Sequence, residues 1–187
     1  MKTKITTQVQ PGRANHFTAS KSGFLSCALI LLCSSSPPAI SEPSQVWKEL
    51  ELWSIRIHLE DKSRCYASRR LDNGSEVQIG TEPTLDGGYF AIYNVAWKHL
   101  EEGMTGSVVF DFGTSRFGGE TIVRFENGVP GGYAFFNNPE FVQTFARRYE
   151  VTIKGSSGAS FTLDLKGTSR AIRAVLACQD AQPDAQD

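Results

Sequence analysis

In W-S-I-R-I-H-L, residues 53–59, apolar and polar side chains alternate, and a two-residue period recurs down much of the chain. That period puts Trp53, Ile55, Ile57 and Leu59 on one face of a strand and turns Arg56 and His58 away from the core. CYASRRL follows and ends at Asp72-Asn73-Gly74, a tight-turn signal because Asn and Gly both tolerate positive φ, with the return strand at Glu76 to Ile79. In GGYFAIYNVAW, Tyr89, Ala91, Tyr93 and Val95 share one face, while Phe90, Ile92 and Asn94 share the other. Apolar residues on both sides predict a strand covered twice. KHLEEGM reads as a turn, SVVFDFG as a strand, Gly118-Gly119 as a bend, ETIVRF as another strand and ENGVPGG as a run of turn residues.

The period changes in NNPEFVQTFARRYE, where Phe141, Val142, Phe145 and Tyr149 recur at three and four residues. Asn138 is placed to cap this helix, with Pro139 in the first helical position, where a missing N–H costs little. YEVTI and ASFTLDL form two strands around a KGSSG hairpin loop. GTSRAIRAVLACQ is a second helix, capped by Thr168 or Ser169, with Ile172, Val175, Leu176 and Cys178 inward. Short strands throughout and two helices in the C-terminal half define a mainly β (α+β) class: an antiparallel barrel or sandwich with helices on one side or at one end.

Ahead of this pattern lies FLSCALILLCSSSPPAISEP, residues 24–43. Its apolar core, residues 24–33, is about half the length needed to cross a bilayer as a helix. Lys2, Lys4, Arg13 and Lys21 precede it without any acidic residue, and Ala39-Ile40-Ser41 supplies small residues at a signal-peptidase spacing. Residues 1–41 therefore read as a secretory signal peptide. A lipid anchor is excluded because Cys33 follows Leu32 and Cys27 stands at the front of the apolar run. Residues 42–50 then form a loose arm or short helix, 51–179 one β-rich domain, and 180–187 a disordered tail. The expected location is periplasmic or secreted, with no integral membrane span in the mature chain.

Four of the 19 basic residues and none of the 20 acidic ones lie in the leader, leaving about −5 on the remainder. That balance argues against nucleic acid as a partner. Doublets such as Arg69-Arg70 read as solvated surface. Of the four cysteines only Cys65 and Cys178 remain, and an even pair bound for an oxidising compartment predicts a disulfide. Closing a loop of on the order of a hundred residues contributes about 4–5 kcal/mol by the chain-entropy argument.

No reaction is written in the motifs. GxSxG, HExxH, CxxC and phosphate-cradling glycine patterns are absent from the sequence, so no catalytic residue, metal ligand or cofactor is assigned. His58 and His99 read as exposed surface residues, and Asp111 and Asp164 as outward-facing members of otherwise apolar strands. The candidate binding surface is aromatic and amide-bearing: Trp97 with Tyr133, Phe135, Phe136, Asn137 and Asn138. The competing reading of these rings is the core of a small β domain.

The stretches YEVTIKGSSGASFTLDLKGTSRAIRAVLAC and WKHLEEGMTGSVVFDFG resemble parts of the invasion-associated locus B family of exported bacterial proteins. There too a strand ending in L-K-G leads into an alanine-rich final helix. The resemblance implies a β-rich periplasmic or surface-associated protein, connected with envelope or host interaction, and carries no catalytic residues. Three functions follow as expectations. The first is a non-enzymatic module binding a protein or envelope component. The second is a small secreted protease inhibitor, which an ordered, protruding arm around Trp47 would favour. The third is a hydrolase using dispersed carboxylates, which a concave pocket with convergent acids would favour.

Overall fold

A computed structural model describes residues 44–59, 64–156 and 158–182. The expected signal peptide and the last residues of the expected tail lie outside them. The described chain is one ten-stranded antiparallel sheet with two helices. Its strands are β1 (Ser44–Glu49), β2 (Ser54–His58), β3 (Arg64–Arg70), β4 (Glu76–Glu82), β5 (Gly87–Tyr93), β6 (Thr105–Asp111), β7 (Arg116–Glu126), β8 (Val129–Phe136), β9 (Glu150–Gly155) and β10 (Ser160–Asp164). Helix α1 (Pro139–Arg147) lies between β8 and β9, and α2 (Thr168–Asp180) follows β10. The spatial order is β1-β2-β3-β4-β5-β8-β7-β6-β9-β10, and among the described residues no ladder joins β1 to β10. The mainly β class with two late helices holds, as an open curled sheet rather than a closed barrel.

The curl follows from how β7 is shared. Its first half, Arg116 to Ile122, pairs with β6, and its second half, Ile122 to Glu126, pairs with β8. Residues Ala134 to Phe136 of β8 pair with β5 beyond the last rung to β7, so the sheet opens into two leaves joined along one strand. The leaves fold over the helices. Strands β3 and β10 stand seven places apart in the sheet, about 34 Å if it were flat. Yet an Arg69 Nη donates to the Asp164 carbonyl at 3.0 Å, and Trp53 Nε1 donates to the Lys166 carbonyl at 3.2 Å.

Between the leaves lies the main core. Trp53, just ahead of β2, and Ile55, Val77, Phe90, Phe110, Val151 and Leu163 from the strands meet Phe141 and Phe145 of α1 and Ile172 and Val175 of α2. The phenylalanine rings pack at steep angles, with Phe110 and Phe141 centroids 5.0 Å apart and Phe90 and Phe110 5.3 Å apart. Cys65 of β3 and Cys178 of α2 form the expected disulfide, with Cα atoms 6.0 Å apart and both residues fully buried. It ties the last helix to the first leaf.

Several local expectations change. Residues 44–49 are an edge strand, not a loose arm or helix; they pair with β2 through a bulge at Trp47, which breaks the alternation a strand would otherwise show. Gly118-Gly119 is no bend, because both residues pair with β6 inside one continuous strand. ENGVPGG contributes only a two-residue turn: Asn127 (φ 49°) and Gly128 (φ 76°) close the β7–β8 hairpin in left-handed backbone. At Asn73-Gly74 only Gly74 has positive φ, within a longer loop in which Leu71 N–H reaches the Ser75 carbonyl at 2.8 Å. The return strand runs past Ile79 to Glu82. Helix α1 is capped as expected, Asn138 Oδ1 accepting from Glu140 N–H at 2.9 Å, but Tyr149 falls beyond its end and is exposed. Helix α2 starts from Gly167 rather than from a side-chain cap. Thr168 is its first residue, fully buried, and Leu176 faces outward.

Candidate functional site

Alternation along β2 to β8 builds a second face, away from the helices. Tyr66, Tyr89, Tyr93 and Tyr133 are buried there around Ala91. Two glycines let the rings lie flat on the sheet. A Cβ at Gly80 would stand 2.3 Å from Tyr89 Cε1, and one at Gly131 would stand 2.3 Å from Tyr93 Cδ1. Tyr89 and Tyr133 stack at 5.0 Å, with the Arg64 guanidinium 5.0 Å from the Tyr89 centroid and that of Arg124 3.8 Å from the Tyr133 centroid. Glu82 accepts from both Arg64 and the Tyr133 hydroxyl, and the Tyr89 hydroxyl donates to Gln78 at 3.3 Å. A buried charge is tolerated only with such partners.

Burial raises the ionisation of all four phenols above the ordinary range for tyrosine. For Tyr133 the Glu82 carboxylate adds to the effect, while for Tyr66 the Ser44 hydroxyl and Arg56 oppose it. The four therefore remain neutral donors at physiological pH.

His58 belongs to this face and is buried, contrary to the surface position its strand phase suggested. It stacks on Tyr66 at 4.6 Å, and its Nε2 lies 3.8 Å from Glu126 Oε1. Strands β2 and β7 are five places apart, about 24 Å in a flat sheet, so the contact exists only because the first leaf curls. The expectation failed because cover on this side comes from the distant β7–β8 hairpin. His99 is exposed in the turn after β5, as expected.

The curl leaves a cleft of about 580 Å³ at the open end of this face. Its floor is the outward phase of β2, β3 and β4: Ser54, Arg56, Tyr66, Ser68, Arg70 and Glu76. One wall is the β1–β2 corner with Glu49, Leu50, Glu51 and Leu52; the other is the hairpin tip with Glu126 and Asn127. Arg56 Nε donates to Ser44 Oγ at 3.1 Å, fixing the floor against β1. Glu49 accepts from the Ser54 hydroxyl at 3.0 Å, Glu76 lies 3.7 Å from Arg70, and Glu51 lies 3.7 Å from Lys166. Both signs of charge and several hydroxyls thus converge on rigid strands.

The aromatic surface read from sequence does not assemble. Tyr133 is buried among the tyrosines; Phe135 shares its face but is 36% exposed; Phe136 points to the opposite face, with its centroid 4.4 Å from that of Phe141. Consecutive strand residues cannot share a face. Phe136, Asn137 and Asn138 do border a second, more apolar cleft of about 380 Å³ between the β4–β5 hairpin and the two helices, with Asn138 engaged as the α1 cap. Trp97 is half-buried against the helix-side core.

Asp164 is exposed, and its Oδ1 accepts from Lys166 N–H at 2.9 Å. Asp111 contacts Arg116 at 3.0 Å and Lys154 at 3.3 Å; the Gly113 N–H, then these cations, holds its carboxyl below the usual range. Among the described residues no group of His, Cys, Asp and Glu is arranged to hold a metal, and no helix is long and apolar enough to cross a membrane.

The chain matches no protein-family model and no curated protein. Among solved structures, the crystal structure of invasion associated protein B from Bartonella henselae is similar at a TM-score of 0.49 and 13% identity, covering 71% of this chain and 97% of that one. This is a remote resemblance, of the kind read from residues 97–113 and 149–178.

Proposed function

We propose that this chain is an exported, disulfide-clamped β module that binds a protein or envelope component outside the cytosol, without transforming it. The observation that carries the binding role is the cleft of about 580 Å³, which lies within the size range of ligand sites and is lined by groups held on paired strands. The export reading is supported by the positive, apolar and small-residue sequence of residues 1–41 and by the Cys65–Cys178 bridge.

Expression of the full chain in a bacterium, followed by fractionation and mass measurement, tests the export half. The expected product lies outside the cytosol, begins near residue 42 and is two hydrogens lighter than its reduced form. A cytosolic chain that keeps its leader would refute it. Pull-down from the envelope fraction tests the binding half, and an empty pull-down from envelope, medium and host extracts would count against it.

The inhibitor reading loses its support, because the segment around Trp47 lies in the sheet instead of protruding. The hydrolase reading retains one observation in its favour: Glu49, Glu51, Glu76 and Glu126 converge on one concave surface. Each of them, however, faces a cation or a hydroxyl, including the His58 imidazole beside Glu126. Glycoside cleavage needs one acid held in an apolar setting, whereas each of these four sits beside a charged or polar group. Release of new reducing ends from an oligosaccharide incubated with the protein would reinstate catalysis.

A further inference from the structure

We propose that the cleft on the tyrosine face takes a short neutral glycan, recognised through its hydroxyl groups. The inference rests on the binding role proposed above and adds the class of ligand. Charge is the first reason. Arg56 and Arg70 share the cleft with Glu49, Glu76, Glu126 and with Glu51, which faces Lys166, while the neighbouring Arg69 turns its guanidinium to Asp164. An anion drawn to the two guanidinium groups meets the carboxylates beside them, and a cation drawn to the carboxylates meets the guanidinium groups. A neutral ligand avoids both penalties.

The second reason is hydrogen-bonding capacity. A guanidinium has five N–H donors and a carboxylate about four lone-pair sites, so the pairing of Arg70 with Glu76 at 3.7 Å, or of Ser54 with Glu49 at 3.0 Å, leaves capacity on both kinds of group. A sugar hydroxyl donates and accepts at once, and two adjacent hydroxyls match the planar fork of an Arg or Glu side chain. Leu50 and Leu52, half-buried on the wall, offer an apolar strip for the C–H side of a sugar ring.

The third reason separates a glycan from a peptide. The floor is a sheet face whose backbone groups are engaged in ladders, Ser54 opposite Ser68, Arg56 opposite Tyr66, and Arg70 opposite Glu76. A peptide gains most of its affinity on a sheet by adding main-chain bonds at an edge. On this floor side chains, not backbone, meet the ligand. They are also positioned in advance, because Ser44 ties Arg56 to the first strand and the Tyr66 ring is buried beneath.

The test uses the mature chain with three probes, a maltodextrin, a cello-oligosaccharide and a chitin oligosaccharide, against a neutral blocked tetra-alanine peptide. Amide chemical shifts and calorimetry provide the readout. At least one saccharide is expected to shift the amides of Arg56, Ser68 and Arg70 with a Kd of about 1 mM or tighter. Affinity should stay within about twofold between low and high salt, since no net charge is neutralised. Ser68→Tyr, which fills the floor, should weaken binding by at least about tenfold, and Arg70→Ala, at an exposed side chain, by several-fold, both with unchanged thermal unfolding.

No shift with any saccharide at about ten times that concentration would overturn the proposal. So would preferential binding of the peptide at the same amides, or a steep loss of affinity with salt. If the saccharides fail while an envelope partner is still captured by the unaltered chain and lost on Ser68→Tyr, the glycan assignment is wrong and the binding role stands.

Discussion

Strand β5 carries both chemistries of this protein on one backbone. Phe90 and Ile92 face the helices, while Tyr89, Ala91 and Tyr93 face the side that ends in the cleft. The helix side is a hydrocarbon interior of phenylalanine, aliphatic side chains and a disulfide. The tyrosine side buries an Arg64–Glu82 pair, a histidine and four phenols, with Tyr66, Tyr89 and Tyr133 each held by a hydrogen bond or a stacked ring. Hydrophobic burial depends on area and little on direction, so the first face supplies cohesion that tolerates small rearrangements. Hydrogen bonds and stacked rings fix orientation. The second face thus supplies a floor whose charged groups stay where a ligand can meet them.

Single truncations are expected to hurt both faces, and compensated ones only the first. Phe145→Ala opens the helix-side core and is expected to cost about 3–5 kcal/mol in urea unfolding. Glu82→Ala, which removes the carboxylate that accepts from both Arg64 and the Tyr133 hydroxyl, should cost about the same. Replacing the cluster together, Arg64→Met with Glu82→Met and Tyr133→Phe, is expected to return stability to within about 1 kcal/mol of the native chain. A triple variant as unstable as Glu82→Ala alone would break the comparison.

Reduction of Cys65–Cys178 comes next, with an expected loss of about 2–4 kcal/mol measured with and without reductant. The phenols give a pH signature confined to the tyrosine side. Their folded-state pKa values are raised, so they leave stability unchanged below about pH 10, where phenols ionise in the unfolded chain. Stability then falls as pH rises from there through the folded-state values. Tyr93→Phe should make the alkaline fall of Tm shallower, whereas Phe145→Ala should lower Tm without changing that slope. The smallest effect is at Asn138→Ala, which removes the α1 cap and should cost about 1 kcal/mol in the same unfolding measurement.

Much of the helix side is legible in the sequence, because period and composition mark it directly. Phe141 and Phe145 recur at helical spacing beside an Asn-Pro start, and the two sides of residues 89–93 announce a strand covered twice. The tyrosine side is less legible. His58 is buried by a hairpin nearly seventy residues away, and no local pattern encodes that approach. Arg56, Ser68, Arg70 and Glu126 resemble ordinary surface residues until the curl collects them. One signal was present: in RCYASRR the residues Arg64, Tyr66, Ser68 and Arg70 share a phase, a polar face too rich in ring and charge to be plain solvent surface. The aromatic surface drawn from Tyr133, Phe135 and Phe136 ignored the same alternation. β1 was missed because a bulge at Trp47 and an edge position remove both cues by which strands are read.

The single bridge also divides the described chain by its response to cutting. It encloses everything from β3 to α2, a separation of 113 residues, and leaves the β1–β2 hairpin outside. A protease that nicks a loop between the two cysteines yields fragments still covalently joined until reductant is added. A cut between β2 and β3 would instead leave the hairpin that forms one bank of the cleft held to the enclosed body by the β2–β3 ladder and the buried Trp53 and Ile55 alone, with no covalent tie.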